Sequence, residues 1–252
     1  MSGHSKWSKI KRKKGATDAK RSKEFSRMLK EITIAVKEGQ SGDPDFNPRL
    51  RTALINAKGV NLPKENIERA ITRALDSSQA TMYEPTYEGY GPGGVAIFVE
   101  CATDNLNRTI SSVRAIFNKK GGNLSTSGSV DFLFDRKGIF VLPVHDNNPE
   151  ELELALIDAN AQEVEYDADS KEMTVIVNFE DFGLMQKKLE ELKLEASSST
   201  LERIPQNTVE LDLDVARSTM NLIEALEEND DVSQVFHNME LTEELEELMV
   251  GE

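Results

Sequence analysis

The chain has 252 residues, 38% of them apolar and 30% charged, with a formal net charge of -15, a composition that suits two or three folded domains and is too apolar for wholesale disorder. A single cysteine, Cys101, and three scattered histidines, His4, His145 and His237, exclude a disulfide framework and every multi-cysteine metal pattern. No apolar run approaches the roughly 18 residues of a membrane span, and Met1-Ser2-Gly3-His4 lacks the apolar stretch of a signal peptide, so a cytoplasmic protein without a membrane partner is expected.

The first element is a basic arm. Residues 1 to 30 hold eleven Lys or Arg against two acids, residues 31 to 79 hold seven of each, and residues 80 to 252 hold twelve basic against thirty-six acidic residues. The whole positive excess therefore sits at one end of an acidic body, a dipolar arrangement that directs one end of the protein toward phosphate and turns the rest away. Within the run Lys6, Trp7, Lys9, Lys11, Arg12, Lys13 and Lys14, the indole offers a stacking face for a base beside charge for the backbone. An anchor docking the arm onto the first helices, or a solubilising tail, are the competing readings.

The arm runs into a helix in which Phe25, Met28, Leu29, Ile32 and Val36 recur at helical spacing and Gly39 offers a stop. At 100° per residue with Lys20 at zero, the apolar positions cover about 80° to 180°, while Lys23, Arg27 and Lys30 fall at roughly 300°, 340° and 280°. A cationic row is thus expected opposite the buried stripe, with Arg21 nearer the boundary; a merely solvated face has the same pattern. Asn47-Pro48 opens a second helix ended by Gly59, Pro63 opens a third, and the Ser-rich stretch from Asp76 to Thr81 reads as a linker.

From there short β-rich runs alternate with helices: strand Val95 to Cys101, a helix carrying Ile110, Val113 and Phe117, and strand Val130 to Phe134. Strand Ile139 to Val144, a helix opened by Asn148-Pro149, strands around Val164 and Thr174 to Val177, a helix around Leu184 to Leu192 and strand Ser198 to Ile204 follow. Strand Thr208 to Leu213, a helix from Ala216 to Leu226 and strand Val232 to Phe236 complete the set. The order admits either two successive βαββαβ units or one nested within the other.

The opening GHSKWSKIKRKKGATDAKRSKEFSRMLKEI, then NPRLRTALINAK, NLPKENIERAI, YEGYGPGGVAIFVECATDNLNRT and GGNL, closely resemble the YebC/PmpR family. The resemblance implies an α+β fold: a three-helix domain followed by two βαββαβ-like α+β domains, one inserted into the other. It selects the nested cut, with a helical domain and basic arm over 1–79, a discontinuous middle domain over 80–135 plus 205–240, an inserted domain over 136–204, and an acidic tail over 241–252. It further implies a probable DNA-binding transcriptional regulator, with relatives, including a mitochondrial translational activator, that act at the ribosome. The nucleic-acid-binding residues it points to are Lys6, Trp7, Lys9, Lys11, Arg12, Lys13, Lys14, Lys20, Arg21, Lys23, Arg27 and Lys30.

Other motifs carry less. The loop from Gly89 to Gly94 precedes a strand, whereas phosphate-cradling loops follow one and open a helix, so a turn with positive φ is expected there. The Gly121-Gly122 turn between Lys119-Lys120 and Ser125-Thr126-Ser127 reads as a second backbone contact or, more simply, a solvated loop. Asp167-Ala168-Asp169 begins like a calcium loop, but Glu172 stands where glycine is needed and Asn178 where glutamate is. Asp and Glu are many, yet none pairs with a nucleophile or base in a way that sets it apart from surface, and Cys101 and His237 read as structural. The expectation is a non-enzymatic protein with no metal, cofactor or small-molecule substrate. Its partner is DNA, or ribosomal RNA if it is a translation factor, with protein partners at the acidic α+β domains; a protein-interaction scaffold is the remaining alternative.

Overall fold

A computed structural model describes residues 18–245 apart from 77, 79 and 146. Three helices come first: α1 (Asp18–Gly39), α2 (Pro48–Gly59) and α3 (Lys64–Ala74). They are followed by β1 (Thr86–Tyr90), β2 (Ala96–Cys101), α4 (Leu106–Lys119), β3 (Asn123–Leu124) and β4 (Phe134–Pro143). Then come α5 (Pro149–Ile157), β5 (Ala161–Asp167), β6 (Glu172–Asn178), α6 (Phe182–Glu191), β7 (Ser198–Pro205), α7 (Leu213–Glu227) and β8 (Val232–His237). The described residues form two compact units, one drawn from 18–23, 80–135 and 203–245, the other from 24–78 and 136–202.

In the first unit the sheet runs β3-β1-β2-β8 with antiparallel neighbours. One face packs Val95, Ile97, Val99 and Cys101 against Val113 and Phe117 of α4 and Leu222, Ile223 and Leu226 of α7. The other carries Ala96, Phe98 and Phe236 beneath Val130 and Phe134. Both faces of β2 are covered, which is why it reads as an unbroken apolar run. Buried Cys101 and His237 are core residues, as expected.

The second unit joins the helical bundle to the β4–β7 sheet. Asn47 caps α2 by accepting from the Leu50 N–H at 3.0 Å and donates to the Ala35 and Ser41 carbonyls. Ile32, Ala35, Val36, Leu50, Ala53 and Ala57 form the bundle core, with Phe25, Met28 and Leu29 against it. The sheet order β5-β6-β4-β7 is that of a βαββαβ unit, with α5 and α6 covering Phe140, Leu142, Met173 and Val175. The Asn56 side chain pairs twice with the edge strand, donating to the Ser199 carbonyl at 2.9 Å and accepting from its N–H at 2.8 Å, so these edge groups are satisfied. Beside it, a Cβ on Gly59 would lie 1.9 Å from the Ser197 carbonyl oxygen. Gly59→Ala is therefore expected to destabilise the protein by about 2 to 3 kcal/mol in chemical denaturation, since backbone must shift to admit one methyl.

The α+β class and helix positions agree with the sequence; several strands do not. Val130 to Phe134 is not a strand but a 3-10 turn over Asp131–Leu133 leading into a longer β4. Thr208 to Leu213 is not one either: Val209 makes a single parallel bridge to Met239, and α7 begins at Leu213. Strands β1 and β3 were not foreseen. Residues 241–245, expected as the start of an acidic tail, place Leu241 and Leu245 in the core of the first unit.

Candidate nucleic-acid interface

Of the basic residues singled out by sequence, Lys6, Trp7, Lys9, Lys11, Arg12, Lys13 and Lys14 lie outside the described residues. The remainder are on α1. Lys20 is in its first turn and Arg21 is exposed, while Lys23, Arg27 and Lys30 are half-buried. Arg21 is therefore exposed although the wheel puts it nearer the boundary, and the row expected to face outward is half-buried, with Arg27 Nε itself buried. The apolar stripe on the opposite side packs as the spacing predicts.

The Gly-rich loop and the hydroxyl-rich segment after β3 are tied together by Glu88, which no local spacing in the sequence marks. Its carboxylate is buried and accepts from the N–H groups of Gly128 at 2.7 Å, Val130 at 2.7 Å and Asp131 at 3.0 Å, while its carbonyl accepts from Ser125 N–H. Burial pushes the carboxyl up, but these three donors and the nearby Arg203 outweigh it and hold Glu88 below the usual carboxylate range. Tyr90 donates its hydroxyl proton to the Ser129 carbonyl at 3.0 Å. Gly93 and Gly94 have φ of 71° and 77°, the positive-φ turn expected of this loop. It borders an open cavity of about 370 Å³ lined by Gly93, Glu210, Leu211, Asp212 and Val215, whose two carboxylates make it a poor phosphate cradle.

Two further clusters brace the sheet. Buried Asp231 accepts from Arg108 Nε at 3.0 Å and from Thr109 Oγ1 at 2.9 Å, and Arg108 also reaches Asp104 at 2.9 Å. The Asp231 hydrogen bond chiefly, then that of Asp104, raises the Arg108 pKa further above its ordinary value. Arg203 lies 3.8 Å over the Phe98 ring and pairs with Glu100 at 3.1 Å and with Asp131. Each arginine joins segments far apart in sequence, so no local spacing announces the contact. Among the described residues, no group of three His, Cys, Asp or Glu converges to hold a metal ion, and no helix is long and apolar enough to cross a membrane.

Residues 5–77 match the model of the TACO1/YebC protein N-terminal domain, and residues 82–239 that of the TACO1/YebC second and third domain. The chain belongs to the TACO1/YebC family. A family member from Amoebophilus asiaticus is 53% identical over 241 residues, covering 95% of this chain and 98% of that one, and is named probable transcriptional regulatory protein. One from Rubrobacter xylanophilus with the same name is 49% identical, over 97% of this chain and 98% of its own. The crystal structure of a conserved hypothetical protein from Aquifex aeolicus superposes with a TM-score of 0.78 at 41% identity, over 90% of this chain and 93% of that one. The pairing of Gly89 with Leu124 and of Tyr90 with Asn123 joins two of the stretches on which the family resemblance rests.

Proposed function

We propose that this protein is a nucleic-acid-binding regulator that acts on DNA through its basic N-terminal arm and the start of α1. The observation that carries the reading is charge segregation: the entire positive excess of a chain with net charge -15 is confined to its first thirty residues. Cations there neutralise phosphates and release counterions, while the acidic α+β domains keep other surfaces off the polymer and remain open to protein partners. The names of the relatives support a role in transcription. The protein acts in the cytoplasm on this reading, and catalysis plays no part.

A second reading, a translation factor gripping ribosomal RNA, is favoured by Trp7 within the lysine run, because stacking suits unpaired bases better than a closed duplex. Crosslinking in cells followed by sequencing of the attached nucleic acid separates the two. Discrete promoter DNA supports the first reading and excludes the second; ribosomal RNA does the reverse. The control is a chain lacking residues 1–17, since a longer deletion would remove Phe25, Met28 and Leu29 from the bundle core. Trp7→Ala provides an independent measure. If Trp7 stacks on a base, its loss weakens binding to single-stranded RNA by about 1 to 3 kcal/mol and leaves duplex affinity nearly unchanged, as read by fluorescence anisotropy.

A further inference from the structure

Residues 80–252 carry thirty-six acids, yet the stretch 105–130 contains none while holding Arg108, Arg114, Lys119 and Lys120. At the density of the rest, about five acids would be expected in such a length. This acid-free stretch comprises α4, the Gly121-Gly122 turn, β3 and the loop braced by Glu88. Arg108 is committed to Asp231 and Asp104. Arg114 and Lys119 are exposed and Lys120 is half-buried, and no ion pair holds any of the three among the described residues. Inward-facing Val113 and Phe117 fix α4 in the core, so exposed Arg114 and Lys119, about 140° apart at 100° per residue, lie on its two flanks, with Lys120 at its C-cap.

Following β3, Thr126, Ser127 and Gly128 are exposed. Gly128 has φ +83°, and a Cβ there would meet nothing within 4 Å. Glu88 pins the Gly128, Val130 and Asp131 amides from inside, so the exposed outer side of the loop is held in one shape. Thr126 is seven positions beyond Lys119, at most about 25 Å of extended chain, so Lys119, Lys120 and the hydroxyls fall within the span of a few successive phosphates. The pieces are those of backbone recognition: cations for charge, and Ser and Thr hydroxyls with a close-approaching glycine for phosphate oxygens.

Resting on the nucleic-acid reading above, we infer that Arg114, Lys119 and Lys120 with the Thr126–Gly128 loop form a second phosphate-backbone contact, independent of the arm. The test uses the full chain, the triple variant Arg114→Gln/Lys119→Gln/Lys120→Gln, and the charge-preserving Arg114→Lys/Lys119→Arg/Lys120→Arg. Affinity for a 30-base-pair DNA duplex and for a single-stranded RNA of equal length is measured across a salt series, with thermal melting as the fold control. The glutamine variant is expected to melt like wild type and to lose about 2 to 3 units of the log-affinity against log-salt slope, roughly 0.9 per phosphate on DNA and 0.7 on RNA; the charge-preserving variant keeps the wild-type slope. The polymer gripped is the one on which the loss reaches the value for three phosphates, about 2.7 units on DNA or about 2.1 on RNA. A second variant, Thr126→Ala/Ser127→Ala, is expected to weaken binding several-fold. A wild-type slope in the glutamine variant alongside lost binding on deletion of residues 1–17 overturns this contact alone; a wild-type chain that binds neither polymer overturns the functional reading and this contact together.

Discussion

A chain lacking residues 1–17 is expected to lose about a thousandfold in affinity for a DNA duplex near 0.1 M salt. The segment contains six cations, Lys6, Lys9, Lys11, Arg12, Lys13 and Lys14. If each neutralises one phosphate, binding releases about five counterions' worth of salt dependence, at roughly 0.9 per phosphate. The slope of log affinity against log salt should therefore become shallower by about 5 units, measured by anisotropy or filter binding. On a single-stranded polymer the change is about 4 units, because counterions are condensed less densely. Replacing the six residues with Gln should reproduce the deletion. An unchanged slope would remove the arm from the interface and favour the scaffold alternative, in which the basic segment folds back on the acidic body.

Glu88→Gln is expected to cost about 3 to 4 kcal/mol of stability. The glutamate accepts three backbone N–H groups, and charge-assisted bonds of this kind contribute more than neutral ones. Glutamine keeps one acceptor oxygen and turns an NH2 group toward the remaining donors, leaving at least one buried N–H without an acceptor. Urea denaturation measures the loss, and hydrogen exchange should localise it to Gly128, Val130 and Asp131. The same group sets a pH dependence. Its folded pKa is depressed below 4.5, so its stabilising contribution is complete above the unfolded value and is lost as pH falls through the lower folded value. Wild type should therefore weaken on acidification through and below pH 4.5, and the variant should lack that component; equal acid sensitivity in both would refute the assignment.

How much of the fold was legible depends on where the constraint came from. Helix α1 was readable because Phe25, Met28, Leu29, Ile32 and Val36 carry a local period, and α2 and α5 because Asn47-Pro48 and Asn148-Pro149 are local caps. Strand β1 was not, since Glu88 and Gly89 break its alternation for reasons lying elsewhere. The acid is satisfied by a loop forty residues on, and a Cβ at Gly89 would meet the Asn123 carbonyl at 2.5 Å and the Phe117 ring. The apolar run at 130–134 misled because its burial lacks a strand's alternation: Val130 and Phe134 cover the sheet's second face while Phe132, midway between them, is 66% exposed. In the candidate interface, charge was legible because it needs only counting. The bracing of its second part by Glu88 was not, because each bond joins residues forty or more apart in sequence.

The pairing of β2 with β8 also fixes an order of assembly during synthesis. Strand β2 is flanked by β1 on one side, but its other neighbour is β8, whose residues Val232–His237 follow the whole inserted segment. With the ribosome adding about 5 to 20 residues per second, β2 waits several seconds or more with one edge and much of its apolar face uncovered. Every residue of the βαββαβ sheet has been made by then. The β5-β6-β4-β7 sheet can thus form while the β3-β1-β2-β8 sheet is still open, and the exposed edge of β2 is the point at which premature association threatens this chain.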